Sequence, residues 1–505
     1  MRKTKTTTMS EVITKSMYLA ALQCPKYYWY RFHHPEWIPD PGARLQAALE
    51  NGKRLGLLAR TLFPDGIDLS DVLEMETAVE QTVKALASRK PIFEAAVRWN
   101  DCAVRCDILQ PVHLDEWEII EVKSSTSVKK THLHDLAFQR FVCENAKLKI
   151  RNCHVLHLNG EYERIGELDV PALFVQSDVT RDVFDMMARI EPNLQWMRTI
   201  PESKEEPKIA IGNHCGIPRP CPLQEHCWSF LPKDNVFTLT RIRSEKAHQW
   251  VKEGITSLYD LPEKVKLGKT QRIQFESLLN SEPHIEIEEL SKFLQKLKYP
   301  IHYLDFETFG PPIPEFEGTK PHQSIPFQFS LHHQPAFGAP LAHVSYLAEG
   351  GSDPRPEILQ RLKSELGTTG SIVAYNAKFE MNVLHETAKQ FSEYRDWVET
   401  LKPRFVDLLK PFQSYHYYHP QQRGSASLKA VLPAMTGRSY QELPIGNGEL
   451  ASIEYYRTHF SPVSPEERLR IRKELVEYCG LDTEAMVLLV DAIENLCETK
   501  DCKAH

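Results

Sequence analysis

The chain of 505 residues contains no run of about 18 uninterrupted apolar residues, the length a helix needs to cross a bilayer, so no membrane span is expected. Residues 1–10 are basic and polar with no apolar stretch behind them. That argues against a secretory leader and sets the expectation of a cytoplasmic protein. An excess of positive charge is also missing: 61 Lys and Arg face 68 Asp and Glu, a net charge of −7. A globally basic nucleic-acid coat is thereby excluded, and any contact with nucleic acid falls to local patches. Internal repeats and long low-complexity tracts are absent. Cysteine, by contrast, is plentiful, with 11 in all. An odd count without a leader does not suggest a disulfide framework, so these thiols are expected to be buried or to bind metal.

At roughly 100–200 residues per domain, the length calls for about three domains. Residues 201–208 (PESKEEPK) read as a charged loop, and a soft boundary follows the last clustered cysteine near residues 231–236. The next stretch is helical and charged. Ser244 is expected to cap a helix that Gly254 stops, and GITSLYDLP (254–262) resembles the Gly-Ile turn of helix-hairpin-helix modules. From Tyr299 onward, strands and helices alternate. The reading is therefore an α/β multidomain chain: residues 1–235, a small helical segment at 236–297, and an α/β domain at 298–505.

Two constellations carry chemistry. In the first, Asn100-Asp101 is a turn signal between two alternating runs, which predicts a hairpin with Asp107 on its second strand. Fourteen residues later, Glu121 and Lys123 stand two apart on a third strand and so share a face. An Asp, a Glu and a Lys at adjacent strand ends can hold a divalent metal through hard oxygen ligands while the Lys stabilises developing charge on a phosphate. Four cysteines (Cys24, Cys215, Cys221 and Cys227) suffice for a metal centre, with His214 and His226 as possible zinc ligands beside them. Between residues 123 and 151, seven Lys and Arg against two acids suggest a phosphate track.

These residues resemble the PD-(D/E)xK nucleases of the RecB/AddB-type branch, which includes the CRISPR-adaptation exonucleases. The resemblance implies a restriction-endonuclease-like fold, with Asp107 as the motif Asp, Glu121 and Lys123 as its ExK, Gln139 as the Gln of the following helix, and Glu94 as a first-strand acid. It also implies one or two Mg²⁺ or Mn²⁺ ions, and a 4Fe–4S cluster on the four cysteines, with Zn²⁺ as the alternative. Two departures stand out: ENGKRLGLLAR (50–60) has no upstream His, and the aromatic after the Gln is displaced to Phe141.

In the second constellation, IHYLDFETF puts Asp305 and Glu307 on one strand face and Leu304 and Phe306 on the other. Two acids sharing a face repel unless a cation lies between them. Further along, IVAYNAKFEMNVL brings Asn376, Phe379 and Glu380 to a strand–helix junction, and EYCGLDTEA sets Tyr478 and Asp482 at i and i+4 on a helix opened by Ser464, Pro465 and Glu467. Together these segments resemble the DnaQ-like DEDD exonucleases of the tyrosine subclass, on an RNase H-like fold. That resemblance implies two divalent ions held by Asp305, Glu307, Glu380 and Asp482, with Tyr478 orienting the attacking water. Glu380 stands where the family has Asp, one methylene shorter. VDLLKPF with Asp407 fits an intervening connection, and Arg423, Ser425 and Lys429 are candidate phosphate contacts.

YLDFETF followed by IPFQFSLH resembles the signature of a bacterial family, of uncertain biological role, that joins a RecB-like nuclease to a DEDD-type domain. The expected activity is dual-site, metal-dependent cleavage of DNA, at single-stranded ends, in repair or defence against phage. The alternatives are an RNA 3′ exonuclease whose N-terminal domain only binds, and a non-catalytic nucleic-acid-binding scaffold.

Overall fold

The computed structural model describes residues 12–40 and 42–501; Cys502 and the basic segment 1–10 lie outside the described residues. Contacts divide the chain into two compact units. The first comprises residues 1–229 and 311–322, and the second residues 230–310 and 323–505. Both are mixed α/β. Among the described residues no helix is long and apolar enough to cross a membrane.

The first unit is built on a six-stranded sheet in chain order: β1 (Ile67–Asp68), β2 (Ile92–Trp99), β3 (Cys102–Pro111), β4 (Glu116–Lys123), β5 (Lys149–Leu158) and β6 (Phe174–Asp178). β2 and β3 form the expected hairpin, and Asn100 takes the left-handed conformation its turn demands (φ 51°). Apolar residues fill both faces. The Lys15–Gln23, Pro25–His33 and Lys130–Asn145 helices bury Tyr18, Tyr28 and Phe138 with Ile119 and Val155 on one side. The Ala43–Arg60 helix buries Leu55 and Ala59 against Phe93, Ile120 and Leu156 on the other.

Alternation slips in the β4–β5 ladder, which skips Arg151, and again in β2–β3. Ile92 and Ala95 face the same core although three residues apart, as do Cys106 and Leu109 on the partner strand. The β2–β3 ladder skips Glu94 and Asp107, and Glu94 has φ 55°. A left-handed non-glycine residue inside a strand stores about 1–3 kcal/mol of strain. The slip lets both acids leave the regular pleat.

Residues 311–322 complete this unit. Arg164 donates to the carbonyls of Pro314 and Glu315 at 3.1 and 2.9 Å, Ile313 packs on the second core, and His322 Nε2 lies 2.6 Å from the Ser124 carbonyl.

In the second unit a two-stranded sheet, β7 (His284–Ile285) with β13 (Tyr417–Tyr418), stands apart from a five-stranded sheet. The larger sheet runs in the order β10 (Ala342–Leu347), β9 (Ile325–Gln334), β8 (Ile301–Phe309), β11 (Ser371–Ala374), β12 (Phe405–Asp407). β8 is central, antiparallel to β9 and parallel to β11. Leu304 and Phe306 enter a core with Ile372, Val383 and Leu401. The opposite face meets the Pro465–Asp501 helix, where the Gln328 amide donates to the Leu475 carbonyl at 2.9 Å and Ser330 bonds Thr483 at 2.7 Å. That helix starts as read, with the Glu467 amide on Ser464 Oγ, and runs unbroken through Gly480.

Residues 236–297 fall within this unit yet have a small core of their own around Val236, Trp250, Leu258 and Leu261. Gly254 ends the Ser244–Lys252 helix at φ 85°, as expected. Ser244 is the first helical residue rather than the cap, a place taken by Arg243.

Candidate functional sites

In the first unit, two strands and two helices bring one charged cluster together. Glu121, 1% exposed on β4, is gripped at both oxygens. Oε1 accepts from Lys123 Nζ at 2.5 Å and from Lys15 Nζ at 2.8 Å, and Oε2 accepts from Gln139 Nε2 at 2.7 Å. The Gln139 amide also bonds Asp135 at 2.9 Å, and Lys123 bonds Asp135 at 3.0 Å. Asp107 is fixed across the sheet by accepting from the Val122 amide at 2.8 Å.

The titrations follow from this crowding. Burial, helped by the Glu121 charge, pushes Asp107 up to about 7. Burial opposes ionisation of Glu121 too, but Lys123 and Lys15 overcome it and hold that carboxyl well below its ordinary range.

The cluster lines a cleft of about 500 Å³ with Glu94, Arg60, Gly52 and Gly56. Glu94 pairs with Arg60 at 3.2 Å. A Cβ added at Gly52 or Gly56 would meet nothing within 4 Å. Sequence reasoning passed over Lys15 and Asp135. Asp135 lies four residues before Gln139, one helical turn, which is the signal that would have found it.

Part of the positive run at 123–151 is ion-paired. Arg140 bonds Glu144, Lys149 bonds Asp115, and Arg151 bonds Glu116. Phe141 packs edge-on to Trp99 in the core.

Cys24, Cys215, Cys221 and Cys227 line one small cavity. The hydrogen bonds around it tie the chain's early helices to residues 203–226. Gln23 donates to the His214 and Arg219 carbonyls at 2.9 and 2.7 Å, Trp29 to the Ser203 carbonyl at 2.9 Å, and Tyr30 to Glu206 at 2.8 Å. Burial raises the thiols of Cys24 and Cys227, and that of Cys221 to about 11. His226 turns to Tyr30 at 2.9 Å, and His214 Nε2 lies 3.7 Å from Cys215 Sγ. Among the described residues, ligand atoms of three groups come within 4.8 Å of one another only at Asp305, Glu307 and Cys479, so no three of the four sulfurs are that close. A single tetrahedral zinc with bonds of about 2.3 Å would draw its sulfurs to roughly 3.8 Å. Four thiols around one cavity can hold either a tetrahedral zinc or a 4Fe–4S cluster.

In the second unit, four carboxylates from three distant segments meet. Asp305 and Glu307 project from β8 beside the Pro465–Asp501 helix, which supplies Asp482, and Glu380 comes from the first turn of the Ala377–Gln390 helix. Asn376 holds φ 77° before that turn, its amide on Asp407 Oδ1 at 3.1 Å. Glu380 is 2% exposed, and its Oε2 has no hydrogen-bond partner.

Burial and mutual repulsion raise all four acids: Asp305 and Glu380 well above the ordinary range, Glu307 to about 8, and, by burial, Asp482 to about 6. Such a set is relieved either by protonation or by a bound cation. Tyr478, at the edge of the cluster, accepts from Lys429 Nζ at 3.1 Å. Tyr440, which sequence reasoning missed, donates to Asp482 Oδ1 at 2.6 Å. Cys479 Sγ lies 3.7 Å from Asp305 Oδ2. Arg423 pairs instead with Asp234, and Ser425 with Ser427.

Because the four carboxyls are shifted upward on folding, the folded chain holds more protons than the unfolded one and loses stability as pH rises. The window runs from 4.5 to about 8 for Glu307 and from 3.8 to about 6 for Asp482. In chelator, the melting temperature of this unit is expected to fall between about pH 5 and 8. Added Mg²⁺ is expected to restore it, more at the top of that range than at the bottom. A calorimetric melt indifferent to both pH and metal would remove the cation site.

A family model described as a domain of unknown function, DUF2779, matches residues 302–427. It therefore takes in Asp305, Glu307 and Glu380 but stops short of Tyr478 and Asp482. The chain is similar to the uncharacterized protein MG366 homolog of Mycoplasma pneumoniae, 25% identical over 213 residues, which cover 39% of this chain and 32% of that protein. It is also similar to the uncharacterized protein MG366 of Mycoplasma genitalium, 28% identical over 143 residues, 26% of this chain and 21% of that one. The chain thus spans about a third or less of the length of these relatives.

Proposed function

We propose that the chain is a metal-dependent nuclease with two phosphodiesterase sites acting on DNA. A 3′–5′ exonuclease site of the DEDD tyrosine type lies in an RNase H-like C-terminal domain, and a RecB-like site lies in a PD-(D/E)xK N-terminal domain; the setting is DNA repair or defence against phage. The observation that carries this reading is the meeting of half-buried Asp305 with buried Glu307, Glu380 and Asp482 beside Tyr478, carboxylates that no cation of the chain itself neutralises through a salt bridge among the described residues.

Mg²⁺ or Mn²⁺ held by these acids would polarise the phosphate and lower the pKa of a bound water. The chain does the positioning. Lys429 holds the Tyr478 hydroxyl, which can in turn orient a water, and Tyr440 fixes the rotamer of Asp482. In the N-terminal site Lys123, anchored on Glu121 and Asp135, offers its ammonium to charge building on a phosphate oxygen. The four thiols around one small cavity support a metal centre there, a 4Fe–4S cluster by the family resemblance with zinc as the alternative.

The test is incubation of labelled single- and double-stranded DNA with Mg²⁺ or Mn²⁺ and the purified protein, its Glu121→Ala and Asp305→Ala variants, and the double variant. Each single variant is expected to lose one mode of cleavage and the double variant both. Full cleavage by the double variant would sink the proposal.

One observation favours a second reading, an exonuclease whose N-terminal domain only binds. Both oxygens of Glu121 are already occupied by Lys15, Lys123 and Gln139. RNA-selective cleavage, with activity unaltered in Lys123→Ala, would select it.

A further inference from the structure

Away from both carboxylate clusters, a cleft of about 670 Å³ opens in the helical part of the second unit. Arg241, Arg243, Lys246, Lys264 and Lys266 line it, against a single acid, Glu253. All five cations are exposed, and none is ion-paired among the described residues. Glu253 itself is taken by the Gln249 amide at 2.8 Å.

Like charges held around one concavity repel, and a low-dielectric wall sharpens their field, so the arrangement favours an anion that can answer several of them at once. The first turn of the nine-residue Ser244–Lys252 helix, which carries Lys246, adds the positive end of its dipole. Arg241 sits at φ 53°, a strained backbone for a long side chain. Between the cations the wall is apolar, formed by Ile242, Val265 and Leu267.

We propose that this cleft binds the phosphodiester backbone of a single nucleic-acid strand. The proposal rests on the nuclease reading only in choosing nucleic acid over another polyanion. Guanidinium groups such as Arg241 and Arg243 suit phosphate oxygens bidentately. The apolar wall suits the sugar and base faces that an unpaired strand exposes. A single strand, unlike a duplex, can present both its backbone and its unpaired bases to such a cleft. The Trp250 ring is 4% exposed and has Lys246 Nζ over it at 5.1 Å, so no base stacks there and binding is indifferent to sequence.

The experiment is fluorescence anisotropy of the full-length chain with a labelled oligothymidylate, in chelator so that nothing is cleaved, across a salt series. Removing Arg243, Lys264 and Lys266 together by substitution to Ala is expected to weaken binding roughly 10- to 100-fold and to lower the slope of log affinity against log salt by about 2, at ~0.7 per lost contact. Circular dichroism and the thermal melt, which these exposed positions should leave unchanged, report on folding.

An unaltered affinity and slope would overturn the proposal. So would competition by polyglutamate as strong as by unlabelled oligothymidylate, or tighter binding of the duplex. If wild type binds the oligothymidylate in chelator yet never cleaves it with Mg²⁺ or Mn²⁺, the nuclease reading falls and this one stands.

Discussion

An Asp482→Asn variant is expected to remove 3′-terminal nucleotides about three orders of magnitude more slowly than wild type, and at the same time to melt higher in chelator. The two effects have one cause. Asp482 raises the pKa of both Asp305 and Glu307 and is itself raised by burial. The amide keeps the size of the carboxylate and can still accept from Tyr440, so packing is preserved while one negative charge leaves a buried cluster. Removing that repulsion should add about 1–2 kcal/mol to the metal-free protein, or ~3–6 °C. The lost charge and oxygen ligand should abolish the stabilisation that Mg²⁺ gives to wild type. Tyr478→Phe separates the contributions: it should keep the Mg²⁺ response and lose about 100-fold in rate. Asp482→Asn protein that digests DNA at the wild-type rate would show that the acids are not the site.

A Cys24→Ser variant is expected to lose the visible charge-transfer absorption of anaerobically purified protein and to melt more than ~10 °C lower in its first unit, on the order of 5 kcal/mol. Three of the four thiols lie within 13 residues, 215–227, while the fourth is almost 200 residues earlier. Only Cys24 therefore closes a long loop, and its loss forfeits the loop-closure entropy that a metal clip removes from the unfolded chain. The hydrogen bonds of Gln23, Trp29 and Tyr30 to residues 203–226 remain, so local pairing should survive while the melt falls. Tyr30 and His226 provide the control, because substituting His226 by Ala breaks the 2.9 Å contact to Tyr30 while leaving all four thiols in place. Colourless wild-type protein containing one zinc per chain would replace the cluster with a mononuclear site.

Much of this architecture was legible because it obeys period two. Asp305 and Glu307 lie opposite Leu304 and Phe306 as the alternation of IHYLDFETF requires, and Asn100-Asp101 makes the expected hairpin turn. What was not legible is long-range or breaks the period. Lys15 reaches Glu121 from 106 positions away, and Tyr440 reaches Asp482 from 42; neither pairing leaves a local trace. The slip at Glu94 and Asp107 defeats strict alternation because it depends on one residue adopting a left-handed conformation that composition disfavours. Nor does charge counted along a chain show its partners: in the positive run at 123–151, Asp115 and Glu116 sit on the turn and strand beside Lys149 and Arg151.

Residues 311–322 also bear on how the protein is made. The first unit cannot be finished when residue 229 is translated, since the segment that bonds Arg164 and Ser124 is encoded up to 93 residues later (322 − 229). At ~5–20 residues per second, the ribosome takes roughly 5–20 s to deliver it. During that interval Arg164 lacks its carbonyl partners and the core under Ile313 is open to water. Synthesis of the second unit is therefore already under way while the first still waits, and the nascent chain presents a long-lived apolar surface to chaperones. A message truncated between codons 230 and 310 would release a first unit that no amount of time completes.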